Sequence, residues 1–160
     1  MRELEGELNG AGLKVAIVVS RFHTSITDNL LSGALEKLRT LGVADDDLLV
    51  VRVPGALELP QAAERVLLSQ RPHAVIALGC VIRGETDHYD FVCAETTRGC
   101  GRLAHEYQVP MLFGLLTCDT QAQAVARSAP GPDNKGAHCA EGAVQMARLF
   151  GQLDDPETTP

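Results

Sequence analysis

Four short apolar, β-branched runs recur along the chain, at Lys14–Val19, Leu48–Val53, Ala74–Val81 and Met111–Leu116, and each is followed by a stretch with helical spacing. Strands that alternate with helices pair in parallel, and the helices then cover both faces of the sheet through right-handed crossovers. The helical stretches are Ile26–Leu41, Leu59–Ser69, His88–Tyr107, a short one opening at Thr120 and ending near Arg127, and a last one from about Asn134 to Phe150. Ser25 or Thr27 offers an N-cap to the first, and Pro60 falls in the first turn of the second, where a missing N–H costs nothing. Thr120 and Gln123 make a capping box, whereas Gly99 and Gly101 weaken the third helix in its middle. Pro130-Gly131-Pro132 separates the last two helices.

At 160 residues the chain is long enough for one well-packed domain, placed at residues 13–150. Residues 1–12 are expected to be a loose tail or an arm that adds to a neighbouring subunit, and residues 151–160 a disordered acidic tail. With 4% aromatic residues and no Trp, the core must rest on Leu, Val, Ile and Ala. A formal charge of −7 argues against nucleic acid, whose phosphates need clustered Lys and Arg. No apolar window is long enough for a membrane span, and Met1–Glu5 opens no apolar signal segment, so a cytoplasmic location is expected. The five cysteines never form Cys-x-x-Cys, which gives no metal spacing and predicts small buried hydrophobes in a reducing compartment.

The chemistry-bearing residues fall where strands end. Gly79–Tyr89 reads Gly-Cys-Val-Ile-Arg-Gly-Glu-Thr-Asp-His-Tyr and runs from the end of the third strand into a helix start. Ligands bind at that edge of an open α/β sheet, N–H groups at a helix start can hold an anion, and a histidine can move a proton near neutral pH. His88 is the histidine set there beside glycine and threonine; His73, His105 and His138 lie in helical or loop contexts, and His23 is ambiguous. After the first strand Ser20-Arg21-Phe22-His23 lacks the glycine-rich turn of a dinucleotide site, but Phe22 offers a ring on which a heteroaromatic ligand can stack. After the second strand, Pro54-Gly55 predicts a tight turn and Glu58 stands at a helix start, either as a solvated cap or as a ligand-binding carboxylate. Arg127 either satisfies the last carbonyls of its helix or clamps a phosphate.

In order and spacing, Ser20-Arg21-Phe22, Val53–Pro60, Gly79–Asp90, Phe113-Gly114 and Asn134-Lys135-Gly136 resemble the 6,7-dimethyl-8-ribityllumazine synthases of riboflavin biosynthesis, from about Leu4 to Phe150. The resemblance implies a flavodoxin-like three-layer sandwich with a four-stranded parallel sheet. It implies condensation of 5-amino-6-(D-ribitylamino)uracil with L-3,4-dihydroxybutan-2-one 4-phosphate. Phe22 would stack on the pyrimidine, with Ala56, Leu57, Glu58, Cys80, Val81 and Ile82 holding the ring edge and ribityl chain. The N–H groups of Glu85 and Thr86, with Arg127, would hold the phosphate. His88 would donate and accept protons, and Phe113, Arg127 and Lys135 would come from the neighbouring subunit. Neither a cofactor nor a metal is implied. The implied partners are further copies of the chain, as a pentamer or a sixty-subunit shell, and riboflavin synthase. His23 stands where Asn is usual, Leu57 where an aromatic is usual, and Glu85 where a small residue is frequent, so the Glu85 carboxylate is expected to point away from the phosphate.

Two other classes fit parts of the pattern. A flavin- or pteridine-binding protein, or a shell protein, would keep the pocket without turnover, and His88 with Arg127 argues for the enzyme because a pure binder needs no proton shuttle. A nicotinamide oxidoreductase would need the absent glycine fingerprint.

Overall fold

Parallel strands cannot be joined by a tight turn, so every link in this chain must be a crossover, and helices supply them. A computed structural model describes residues 1–155. It contains β1 (Val15–Ser20), α1 (Thr24–Thr40), β2 (Leu48–Val53), α2 (Leu59–Gln70), β3 (Ala74–Ile82), α3 (His88–Tyr107), β4 (Met111–Cys118), α4 (Gln121–Ser128) and α5 (Lys135–Asp154). The four strands form one parallel sheet in the order β2-β1-β3-β4.

Side chains along a strand alternate between faces, and here both faces are apolar. Val15, Ile17 and Val19 of β1 and Ile76 and Leu78 of β3 join a core with Leu30, Leu38, Ala140 and Val144, from α1 and α5. Ala16 and Val18 of β1 and Val75 of β3 join a second core with Leu59, Ala63 and Leu103, from α2 and α3. The result is the expected three-layer sandwich, with α1, α4 and α5 on one face and α2 and α3 on the other. Gly99 does not break α3: a Cβ there would lie 2.8 Å from the Pro60 ring, so its absence lets α3 pack closely on α2.

Several boundaries differ from the sequence expectation. Neither Ser25 nor Thr27 caps α1. His23 takes that place in a left-handed conformation (φ 59°), its carbonyl accepts from the N–H of Ile26 and Thr27, and the Thr24 hydroxyl donates to the Arg21 carbonyl at 2.6 Å. β4 runs two residues past the expected Leu116, to Cys118, and Phe113 lies inside it, opposite Ala77. Gly55 has extended backbone (φ −145°), so Pro54-Gly55 is not a tight turn of the left-handed kind. The last helix continues past Phe150 to Asp154, covering the start of the expected tail, whose residues 156–160 lie outside those described.

Residues 1–12 carry no helix or strand and run along α5. The Arg148 guanidinium donates to the carbonyls of Asn9 and Ala11, both at 2.6 Å, and Gln145 and Gln152 donate to the Glu5 side chain and carbonyl. Leu4 and Leu8 stay exposed. Among the described residues no helix is long and apolar enough to cross a membrane.

Candidate active site

The chain leaves β1 toward one face of the sheet through α1 and leaves β3 toward the other through α3. A crevice must therefore open between the carboxyl ends of these two neighbouring strands. It is a cleft of about 470 Å3. From the β1 end come Phe22 and His23. The Phe22 ring is 65% exposed, and the His23 ring meets it edge-on at 4.8 Å between centroids, so one aromatic face is held open to a ligand. From the β2 end come Gly55, Ala56, Leu57 and Glu58, on a single helical turn that leads into α2. The Glu58 carboxylate folds back over Gly55, where an added Cβ would stand 3.0 Å from Oε2, and it makes no cap for α2. Cys80, Val81 and Ile82 of β3 form another wall, and Gly84, Thr86, His88, Tyr89 and Val92 complete the cleft.

Cys80 is almost fully buried, and burial, followed by the Cys118 thiol, pushes its thiol up to about 12. It meets a ligand as a neutral, weakly polar group, matching the inert reading of the cysteines. All five cysteines are free thiols.

Between Ile82 and α3 the chain makes an exposed turn. Among the described residues, no hydrogen bond uses the N–H groups of Gly84, Glu85 or Thr86, and they precede a helix whose dipole favours an anion. The Thr86 hydroxyl accepts from the N–H of His88 at 3.4 Å. Glu85 is exposed and its side chain does not line the cleft, as its sequence position requires for an anion to sit there. His88 is the first residue of α3 and faces the cleft together with Val92, one turn further along the same helix.

Phe113, Arg127 and Lys135 are not in this cleft. They line a second one of about 410 Å3 along β4, at the open edge of the sheet, with Gly114, Thr117, His138 and Cys139 among its other walls. Arg127 donates through Nη1 to the Gln123 carbonyl at 3.1 Å, so it does serve its own helix end, and it also lines this cleft. Lys135 is set by the buried Asn134. That residue caps α5 through Oδ1 on the N–H of Ala137, and its Nδ2 donates to the carbonyls of Ser128, Ala129 and Asn29. Gly136 must be glycine because a Cβ there would run into the Leu30 carbonyl of α1. Asn-Lys-Gly is thus a cap, a cation and a close approach in three successive positions.

Sequence reasoning left His23 ambiguous, gave Gly55 only a turn, and gave no role of their own to Gly84, Tyr89, Val92 or Arg83. Val92 was within reach, since it lies four residues after His88 on one helical face. Arg83 could not be assigned, because both its carboxylate partners come from other elements. Its Nη1 and Nη2 donate to Asp90 at 3.2 and 3.3 Å, Nε donates to Asp119 at 3.1 Å, and the guanidinium lies 4.2 Å from the Tyr89 ring centroid.

Among the described residues no group of three or more His, Cys, Asp or Glu is placed to hold a metal ion. A family model described as 6,7-dimethyl-8-ribityllumazine synthase matches residues 12–151.

Proposed function

The chain belongs to the 6,7-dimethyl-8-ribityllumazine synthase family, and from that premise we propose how its two clefts divide the reaction. It is a transferase of riboflavin biosynthesis that condenses 5-amino-6-(D-ribitylamino)uracil with L-3,4-dihydroxybutan-2-one 4-phosphate, giving 6,7-dimethyl-8-ribityllumazine, phosphate and water.

In our reading the pyrimidine stacks on Phe22. Ala56, Leu57 and Glu58 with Cys80, Val81 and Ile82 hold its edge and the ribityl chain, largely through backbone. The phosphate rests on the N–H groups of Glu85 and Thr86. The 5-amino group adds to the ketone and water leaves; phosphate is then eliminated and the ring closes. Each step moves a proton, and His88, beside both subsites, is the group to move it, worth about 10²–10⁴-fold. The remainder comes from holding two substrates in register and from stabilising the departing phosphate. The observation that carries this reading is convergence: Phe22, the 56–58 turn, the end of β3, Thr86 and His88 surround one cavity although they are scattered over sixty-odd residues of sequence. Absorbance of the lumazine on mixing the two substrates tests it, and purified protein that forms none would sink it.

Phe113, Arg127 and Lys135 lie apart from that cavity, on the outer edge of the sheet. This supports a site shared between copies, in which these three residues complete the neighbour's cleft. We therefore propose pentamers at minimum and a sixty-subunit shell as the full assembly, with riboflavin synthase as a partner, working in the cytoplasm. β2 forms the other open edge, where an extended arm from a neighbour would cover unpaired backbone groups. Light scattering on dilute protein decides this: a fully active monomer refutes the shared site, and a stable lone pentamer refutes only the shell.

A further inference from the structure

We propose that Arg83 is a positioning residue for the anion-holding turn at residues 84–86, and not itself a ligand of the phosphate. The proposal rests on the reading above, in which the phosphate sits on that turn. An arginine one residue before such a turn invites the opposite assignment. Its guanidinium, however, is already committed: the fork holds Asp90 through two donors, Nε holds Asp119, and one face covers Tyr89. One cation set between two carboxylates leaves a cluster of net negative charge, which does not attract a phosphate. The Asp90 and then the Asp119 hydrogen bonds hold the Arg83 proton even more firmly than usual.

What the arrangement does is join three elements around the turn. Arg83 directly follows β3, Asp90 is in the first turn of α3, and Asp119 follows β4 just before the Thr120 cap of α4. The Arg83–Asp90 pair bridges the turn from one side to the other, and the N–H of Arg83 donates to the Cys118 carbonyl at 2.9 Å. The N–H groups of residues 84–86 have no partners among the described residues, so the turn is fixed from its ends. A fork that bonds two carboxylates in fixed directions suits that task, whereas a lysine would keep the charge and lose the geometry.

The two assignments predict opposite signs for the variants Asp90→Asn and Asp119→Asn. If Arg83 held the phosphate, releasing it from a carboxylate would lower KM for the butanone phosphate. If it positions the turn, that KM rises about three- to tenfold in each variant, while KM for the pyrimidine stays within about twofold. Arg83→Lys should give an intermediate rise. Amide hydrogen exchange at residues 83, 90 and 91, whose N–H groups donate to the Cys118 and Asp87 carbonyls at the two ends of the turn, supplies a readout that needs no turnover, and it should quicken in all three variants. A lower or unchanged KM for the phosphate substrate, an equal rise for both substrates, or unchanged exchange overturns the proposal. Wild-type protein that forms no lumazine would sink the functional reading instead, leaving the exchange measurement to decide the clamp alone.

Discussion

The cleft between β1 and β3 and the cleft along β4 are of similar size, about 470 and 410 Å3, but they are made of different materials. The first is built at strand ends, from three loops and the start of α3, and it offers an exposed aromatic face, free N–H groups and a histidine. The second lies along the side of an edge strand and offers Phe113 with two cations, Arg127 and Lys135. Each lacks what the other has. The first offers an anion N–H groups alone, since the Arg83 guanidinium beside them is tied to Asp90 and Asp119. The second has positive charge and no comparable enclosure. Both keep a cysteine neutral: burial pushes Cys80 up to about 12 and Cys139 to about 11. In one chain the cations and the turn at residues 84–86 are separate; in the assembly proposed above they would meet.

The strongest test of that division is Arg127→Ala. Losing a charge-assisted clamp should cost about 1.5–3 kcal/mol of binding, or about ten- to hundredfold in KM for the butanone phosphate, with KM for the pyrimidine little changed. If KM stays put and only thermal stability drops, the bond from Arg127 to the Gln123 carbonyl is all it provides.

His88→Ala should act on the other cleft and on the other kinetic constant. We expect kcat to fall by about 10²-fold or more, within the range a general acid–base group supplies, while pyrimidine affinity stays close to wild type. An unchanged kcat would remove His88 from the mechanism. Co-assembling the His88→Ala and Arg127→Ala chains sharpens the comparison further. If each site draws His88 from one copy and Arg127 from the next, random mixing restores about a quarter of the sites to full composition. No recovery on mixing would mean that both residues serve the same copy.

How far these clefts were legible in the sequence differs in the same way. The four strands and the residues at their ends follow from apolar runs and their punctuation, because a doubly covered parallel sheet demands them. Phe22, Glu58, Thr86 and His88 could be placed at the sheet's binding edge on that basis alone. Phe113 could not, since it stands inside β4 and only the sheet order makes that strand an edge. The Arg83 clamp was equally hidden, because its partners lie seven and 36 residues away. The cap of α1 was misread for a local reason: Ser25 and Thr27 are good capping types, but the chain turns two residues earlier, at His23.

A separate effect, on stability alone, should appear in alkali. Burial raises the thiols of Cys80, Cys100 and Cys139 from 9.0 to about 12, 11 and 11. Above pH 9 the unfolded chain therefore loses these protons while the folded chain keeps them, so the unfolded state binds fewer protons and stability falls as pH rises toward 11–12. Below pH 9 these groups contribute no slope. The melting midpoint, measured under reducing conditions, should be flat with respect to them near pH 8 and drop by on the order of ten degrees by pH 10.5. A midpoint that holds steady through pH 11 would mean that the clefts admit enough water to let the thiols ionise.

The smallest expected change is at His23, and it asks whether the first cleft is shaped by backbone or by side chains. His23 sits at φ 59°, ψ 53°, a left-handed conformation that costs an ordinary L residue about 1–2 kcal/mol and that Asn tolerates better. Against this, its ring packs edge-on against Phe22, a contact worth about 0.5–1.5 kcal/mol when buried and less here, where Phe22 is 65% exposed. Relief of backbone strain should therefore win, and His23→Asn should stabilise the protein by about 0.5 kcal/mol. Phe22 is held from the backbone by Arg21, whose N–H donates to the Val53 carbonyl at 2.8 Å and whose own carbonyl takes the Thr24 hydroxyl. KM for the pyrimidine should accordingly stay within about twofold of wild type, because a loss of 0.4 kcal/mol or less in stacking is all that a freer Phe22 ring would give up. A clear rise in that KM without loss of stability would show that the His23 ring, and not the chain beneath it, holds Phe22 in place.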